Sequence, residues 1–497
     1  MLKQKLILSY STQIVSQVLQ VGASLVVARL AGPTVLGTVA FGTAYVSTLV
    51  FISDLGLAVA HIKLISEGRD EAKCLSTFTA LKLGTTLLFV LAVLGLFFTQ
   101  KYLLGHSFES KTHEYVIFIS LTALTVKQLT FIPRATFAAK TEQAKTDSVD
   151  LLQGFILQPA RILVVVLGFG AIALALTNLA ASLLIIPFLL YLFRDYHLSS
   201  FDRSLAREYI ALSLPVIMIG MSTGLLYQID KVLLQFFSDS EQVGYYTAGY
   251  KIGGFILLIG KSVKNLFFPL FSKAVSEGNN DYIRDKITRF ERFSFLFIMP
   301  AVVLTAIYSE PIILLLLGDQ YMPSVLVMQL ITLAMCVMVI NIPFGSVMDG
   351  LGKFKLSAIL NTFNLIVFVI AIVVLVSPRL LDQGAAGVAV AIFISNIFIG
   401  VLYRIYATRF FPVLSHRQAV KFFTFGVLSF VAGYYAYESF FSTHWLWQGV
   451  FVVLYLGVVY GLFALFGWLT LKDGKDLLSV FDFGSMKKYV VGEIKKR

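Results

Sequence analysis

The chain has 497 residues, of which 58% are hydrophobic and 14% charged, with a mean hydropathy of +0.83 and a formal net charge of +12. Soluble domains carry about a quarter charged residues, so a water-soluble protein is excluded and an all-α polytopic membrane protein is indicated.

Apolar runs of about 20 residues, each long enough to cross a ~30 Å hydrocarbon core as a helix, recur along almost the whole length. Fourteen spans are predicted: 7–29, 36–60, 78–99, 115–133, 148–168, 171–192, 207–228, 243–268, 292–308, 323–345, 356–377, 384–406, 418–439 and 446–470. The first, preceded by Lys3 and Lys5, is too long for a signal sequence and lacks a small-x-small cleavage site before Arg29, so it reads as an uncleaved helix.

Lys and Arg in short loops favour the cytoplasmic side. With the N-terminus inside, twenty-eight of them fall on that side and five on the other or its border, among them Lys231. The alternation supports fourteen spans with both termini cytoplasmic, and it assigns the net positive charge to the membrane's inner face rather than to nucleic acid. Cys74 is expected in a cytoplasmic loop and Cys336 inside a helix, so neither is placed for a disulfide.

The sequence echoes itself. Ile132-Pro133 is followed thirteen residues on by Lys145, and Ile342-Pro343 thirteen residues on by Lys355, an offset of 210. Leu36-Gly37 and Val243-Gly244 open similar segments, with Gly42 matching Gly249 at an offset of 207. Two echoes at nearly one spacing suggest a duplicated half, as in secondary transporters whose substrate site lies between their repeats. The predicted organisation is an N-lobe at 1–200, a C-lobe at 201–410, each with six helices, two further helices at 411–472, and a cytoplasmic tail at 473–497. Six is even, so the lobes enter the membrane in the same direction. The loop at 277–293 has Tyr282, Ile283, Ile287 and Phe290 at helical spacing, so it either lies along the headgroups or leads as a solvated helix into the ninth span.

A Lys or Arg at the centre of a membrane helix costs roughly 2.5–3.5 kcal/mol on insertion scales, so several of them imply a wet cavity or paired partners. Seven cations remain once the loops are assigned: Lys82, Lys127, Arg134, Arg161, Lys251, Lys261 and Lys264. The acids at comparable depth are Asp54, Asp150, Asp230 and Asp349. This net cationic interior favours an anionic substrate, since an Arg fork or a Lys ammonium gains most against phosphate oxygens in a low-dielectric site. Arg161 leads, on a helix whose Gln153, Gln158 and Pro159 make a polar, kink-prone strip; a structural ion pair is the competing role. Lys127 lies deep beside Gln128, and Lys251 stands among Gly249, Gly253 and Gly254. Lys82, Arg134 and Lys264 lie near cytoplasmic helix ends, within snorkelling reach, and Arg29 ends the first helix at the outer face as a candidate anchor or ligand. Asp54, a lone buried carboxylate, is the candidate for proton or sodium coupling; a cross-lobe pair with its repeat counterpart Lys261, and a carboxylate that only satisfies local backbone donors, are equal alternatives. His61, at a cytoplasmic helix end, reads as an interfacial residue.

No GxxxxGK[ST] loop is present to cradle ATP phosphates, no His/Cys/Asp cluster has metal-ligand spacing, and the outer loops are short. The chain therefore needs no cofactor and points away from an enzyme.

The segments ARLAGPTVLGTVAFGTAY at 28–45, DLGLAVAHIKLIS at 54–66, IDKVLLQFFSDSEQVGYYTAGYKI at 229–252, PIILLLLGDQYMPS at 311–324 and DGLGKFKLSAILNTFN at 349–364 resemble the Wzx-type polysaccharide flippases. Their superfamily also holds the MATE multidrug exporters and the lipid II flippases, and the resemblance spans about residues 5–410. It implies a two-lobed, MATE-like protein of fourteen helices that rocks between inward-open and outward-open states. It also implies a substrate made of an oligosaccharide repeat unit on undecaprenyl pyrophosphate, moved across the bacterial inner membrane, with a polysaccharide polymerase and a chain-length regulator as downstream partners. Arg29 to Gly37 matches the family's RxxG-rich turn. A lipid II flippase, a MATE-type drug antiporter and a membrane glycosyltransferase are the alternatives.

Overall fold

A computed structural model describes residues 2–257, 271–274, 277–278, 280–410, 416–441 and 445–469, and every regular element among them is helical. Ten of the described helices are long and apolar enough to cross a membrane. Among the fourteen predicted spans, the second is fused to the first, the eighth runs into residues outside the described set, and the helices at the seventh and thirteenth positions are not among the ten.

The first helix, α1, runs Leu2–Ser47 but turns at Gly32, whose φ of 79° and ψ of 167° are not helical. Glycine alone takes that conformation cheaply, and Pro33 restarts the helix in its first turn, where its missing N–H costs nothing. The second span is then broken again. After Ser47 the chain passes through a 3-10 turn at Val50–Ser53 and left-handed Leu55 and Gly56 (φ 46° and 81°) before α2, Leu57–Ser66. Asp54 sits in this break.

The helices α3 (Glu71–Phe98), α4 (Lys111–Ala139), α5 (Gln143–Val166), α6 (Ala171–Leu184) and α7 (Ile186–Phe193) complete the first half. Asp70 caps α3 by accepting from the Lys73 amide at 3.0 Å. The second half begins with α8 (Arg203–Leu226), capped by Asp202, followed by the short α9 (Ile229–Phe237) and α10 (Ser240–Gly253). It continues through α11 (Asn280–Phe293), α12 (Met299–Ile307), α13 (Ser309–Leu316), α14 (Ser324–Gly350), α15 (Phe354–Val376) and α16 (Gly384–Phe410). Two further helices, α17 (His416–Ala436) and α18 (Trp445–Leu465), pack with α12 around Phe295, Phe451, Tyr455 and Phe463. Pro133 and Pro343, the centres of the Ile-Pro echo, occupy matching places near the ends of α4 and α14.

α1 packs against α4, α5 and α6 on one side and against α9 and α10 on the other, while α10 also packs on α14. The α1–α10 contact is a glycine crossing. A methyl group on Gly37 would stand 1.7 Å from the Ser240 carbonyl oxygen, and one on Gly244 would stand 2.0 Å from that of Pro33. Below it, Gly42 faces Val116 of α4 and Gly249 faces Val327 of α14, at 2.6 and 2.8 Å for the added carbon. The echoed glycines thus make equivalent contacts in each half, and the first pair makes them with each other. Small residues are what allow helix backbones to close this far in a membrane, where apolar surface alone gives no drive to associate.

One expectation changes, one open alternative is resolved, and one lies outside the described residues. Cys74 is buried inside α3 rather than in a loop, and both cysteines are free. α11 buries Ile283, Ile287 and Phe290 against Val339, Phe344 and Val347 of α14, and it continues through Ser294–Ile298 into α12, so it is the lead into the ninth span and does not lie along the headgroups. The residues of the predicted tail, 473–497, lie outside the described set.

The crossing can be tested by size. Gly37→Val should lower the thermal midpoint of the purified protein substantially, overpacking costing about 1–3 kcal/mol, whereas Gly22→Ala, with open space around the added carbon, should leave it unchanged.

Candidate functional site

Beneath the glycine crossing the halves part and enclose a cavity of about 380 Å³. α1 contributes Thr43 and Ala44, α4 Lys127, α5 Gln153 and Arg161, α6 Asn178, and the far wall is Gln228, Lys231, Thr247 and Lys251 from the region of α9 and α10. Thr247 and Lys251 follow Gly244 by three and seven residues, which sets all three on one helical face.

The cavity is lined by four cations and no carboxylate. The Arg161 guanidinium donates from Nη2 to the neutral Asn178 Oδ1 at 2.7 Å, a bond that orients the fork without cancelling its charge. Among the described residues, the Lys127 and Lys251 ammoniums have no hydrogen-bond or salt-bridge partner, and Lys251 lies within electrostatic reach of Arg161 and Lys231. Lys231 is the neutralised one. Its Nζ lies 3.1 Å from Asp230 Oδ1, Asp230 is buried and also accepts from the Tyr246 hydroxyl, and the ammonium stands over the Tyr246 and Tyr250 rings. The cavity therefore holds a surplus of about three positive charges in a low-dielectric wall, an arrangement that attracts a polyanion.

Of the predicted site residues, Lys127, Arg161 and Lys251 come together here. Charge alternation alone sets Lys231 at the outer border; the short α9, which starts at Ile229 and carries it into the cavity wall, has no strong sequence signal. Asn178 lies one side chain from Arg161 but seventeen positions along, and a single sequence does not show that pairing. Arg29 is elsewhere. Its Nη1 donates to the Leu315 carbonyl at 2.6 Å, in the last turn of α13, outside the cavity. Arg134 is paired with Asp150 and donates to Gln153 Oε1 at 3.1 Å, which places it beside the cavity through Gln153. Lys261 and Lys264 lie outside the described residues.

Lys82 and Asp54 correct the sequence reading together. The Lys82 side chain is 0% exposed and does not snorkel; its Nζ lies 3.1 Å from Asp54 Oδ1, 3.0 Å from Gln128 Oε1 and 5.1 Å from the Phe131 ring centroid. Asp54 is 34% exposed and paired, not lone and buried. The broken second span explains both, because its turn at Ser53–Gly56 swings the carboxylate onto α3, a step that an unbroken helix at 36–60 would not make. His61 is fully buried, stacked on Phe78 at 4.1 Å, with Nδ1 2.7 Å from the Tyr209 hydroxyl and Nε2 3.0 Å from Thr136 Oγ1. It joins α2, α4 and α8 and is not interfacial.

The two ends of the bundle are held differently. At the end predicted to face outward, the Tyr321 hydroxyl donates to the Ala28 carbonyl at 2.8 Å, Gln320 Nε2 donates to that of Arg29 at 2.7 Å, and Glu109 takes bonds from Gln235 and Ser240. Burial pushes the Glu109 carboxyl up, but the bonds from Ser240 and Gln235 outweigh it and hold the group below the usual carboxylate range. At the opposite end Arg69 pairs with Glu208 at 3.0 Å and the Tyr209 hydroxyl donates to the Cys74 carbonyl at 3.2 Å.

Residues 26–326 match the family described as "Polysaccharide biosynthesis protein". The chain is 21% identical over 445 residues, 88% of each chain, to a probable low-salt glycan biosynthesis flippase, Agl15, of Haloferax volcanii. Its fold is similar to the lipid II flippase MurJ in an inward closed conformation, with a TM-score of 0.69 and 15% identity over 92% of this chain and 98% of that one. It is also similar to an inward-facing multidrug resistance MATE family transporter of the MOP superfamily, with a TM-score of 0.64 and 14% identity over 82% and 99% of the two chains.

Removal of one partner from a buried pair costs about 3–5 kcal/mol, at the lower end here because Asp54 is partly exposed. Lys82→Met should therefore destabilise the purified protein well beyond Lys127→Met, and adding Asp54→Asn to Lys82→Met should restore part of the loss. Equal thermal midpoints for the two single variants would contradict a structural role for Lys82.

Proposed function

Because the chain belongs to the polysaccharide biosynthesis protein family, we propose that it is a flippase that moves undecaprenyl-pyrophosphate-linked oligosaccharide repeat units from the inner to the outer leaflet of the bacterial inner membrane by alternating access. The observation that carries this reading is the cavity between the halves, with four cations, no carboxylate and an Arg161 fork oriented by a neutral amide. A pyrophosphate presents the complementary charge. Arg fits it by bidentate hydrogen bonding, and the Lys127 and Lys251 ammoniums act as point charges around it. The lipid tail stays in the bilayer while the head group crosses, so the site needs no apolar tunnel for it.

The moving parts in this proposal are the N-lobe, 1–200, and the C-lobe, 201–410. The paired roles of Gly37 and Gly244 support it, since a crossing of two small residues lets the helices pivot where larger side chains would interlock. Helices 411–472 stay outside the rocking unit, and a polymerase and a chain-length regulator receive the product. Asp54 is the proposed coupling group for a proton or sodium ion. Its partial exposure gives an ion access, and binding there would release Lys82 from the turn that interrupts the second span. Lys261, its proposed cross-lobe partner, lies outside the described residues. Arg134, Lys82, Lys264 and Arg29 play supporting parts, the first through Gln153 and the last by holding α13 against α1.

A lipid II flippase is the second reading, favoured by the similarity in fold to MurJ. Depletion separates the two: loss of a surface polymer alone fits the repeat-unit reading, and lysis fits the peptidoglycan one. A multidrug antiporter would need acids facing a cationic drug, and the cavity lining has none.

Replacing Arg161 by Ala removes a charged hydrogen-bonding group worth about 1.5–3 kcal/mol, so affinity for the lipid pyrophosphate should fall roughly 10- to 100-fold. Surface polysaccharide should be lost while protein level, followed by immunoblot of membranes, stays normal. Normal polymer from that variant would remove Arg161 from the mechanism.

A further inference from the structure

A second recess, of about 300 Å³, lies at the end predicted to face outward, between α1, the loop before α4, and α9. It has a different chemistry from the cationic cavity. No Lys or Arg lines it, so it is no second phosphate site.

Its apolar part is aromatic. Tyr45 meets Phe108 edge-on at 5.8 Å, Phe41 lies 6.3 Å from Phe108, and His106 stands edge-on to Phe236 at 5.3 Å, with Phe236 52% exposed. Its polar part is rich in acceptors. Gln235 gives its Nε2 to Glu109 Oε2 at 2.6 Å, while its Oε1 is buried with no hydrogen-bond partner among the described residues. Glu109 Oε2 also takes the Ser240 amide at 3.0 Å and the Ser240 hydroxyl at 2.6 Å, which leaves Oε1 without a partner among the described residues. Gln100 Oε1 accepts from the Tyr45 hydroxyl at 3.1 Å, leaving its amide nitrogen to donate.

The exposed Glu109 Oε1 without a donor and the Gln100 amide nitrogen without an acceptor suit a ligand that brings hydroxyl groups. Half-exposed aromatic rings beside them ask for one that also has an apolar face. A sugar ring meets both demands, with hydroxyls around its edge and C–H bonds on its faces. The volume stands at the low end of small-molecule sites, about 300–1,000 Å³, so it admits one sugar residue and not a whole repeat unit.

We propose that this recess is a saccharide subsite that takes a single hexose or N-acetylhexosamine residue. A sugar hydroxyl donates to Glu109 Oε1, whose carboxylate Gln235 Nε2 positions, and another accepts from the Gln100 amide, with a ring face on Phe236. The source of the sugar rests on the flippase reading, in which the subsite would hold the glycan at the outward end as its phosphates leave the cationic cavity. Binding of a free sugar does not rest on it. Because Glu109 belongs to one half, and Gln235 and Ser240 to the other, an occupied subsite touches both sides of the seam.

The test uses the purified full chain in nanodiscs and saturation-transfer NMR with free N-acetylglucosamine and free glucose, without lipid or phosphate. The proposal predicts transfer to the ring C–H protons of at least one of the two, and at least tenfold weaker binding in Gln235→Leu and in Phe236→Ala. Phe236 is half-exposed, so its variant stays interpretable even where Gln235→Leu unfolds. No transfer to wild-type protein, or equal transfer to wild type and Phe236→Ala, overturns the subsite. Polyprenyl pyrophosphate binding measured on the same samples separates the two claims: sugar binding without pyrophosphate binding sinks the flippase reading and keeps the subsite, and the reverse sinks the subsite alone.

Discussion

Everything in the centre of this protein depends on how closely α1 and α10 approach at Gly37 and Gly244. The contact is backbone against backbone, since a single added methyl would stand under 2.1 Å from a carbonyl oxygen on either helix. It draws the halves together at one level and leaves them apart below it. The cavity begins where the crossing ends, and Thr247 and Lys251 face it because they follow Gly244 on the same helical stripe. The turn at Gly32 and Pro33 gives α1 its approach, and the bonds from Tyr321 and Gln320 to the carbonyls of residues 28 and 29 fix the turn against the second half.

Charge divides into two kinds along this frame. Lys82, Arg134 and Lys231 each have a carboxylate within salt-bridge distance, and they behave as structural charges. Lys127, Arg161 and Lys251 have none among the described residues, and all three line one cavity. Unpaired charge within a bundle is costly unless water or a ligand compensates it. Among the described residues these three share one cavity between the two halves, where a mobile polyanion could relieve that cost.

The amino-acid sequence made the helical class, the internal echo and the cationic interior legible, because hydropathy, spacing and charge are local properties. Gly37 and Gly244 stand out in the echo, but that they touch each other is a long-range fact. Depth along the helices set Arg161 ahead of Arg134, but the partners that distinguish them, Asn178 for one and Asp150 for the other, are long-range contacts that the sequence does not show. Lys82 and Asp54 misled for a definite reason. Their pairing needs a helix break at Leu55 and Gly56, and left-handed leucine is not a residue that announces a turn. His61 is similar: its three partners come from α3, α4 and α8, and hydropathy carries no trace of them.

The central claim is that the cations between the halves hold a lipid-linked pyrophosphate. Native mass spectrometry of the purified protein, offered equal amounts of undecaprenyl pyrophosphate and undecaprenol, tests it most directly. The account predicts selective retention of the pyrophosphate, lost when Lys127, Arg161 and Lys251 are all replaced by Gln. Equal retention of the two lipids, or selectivity that survives the triple replacement, would contradict it.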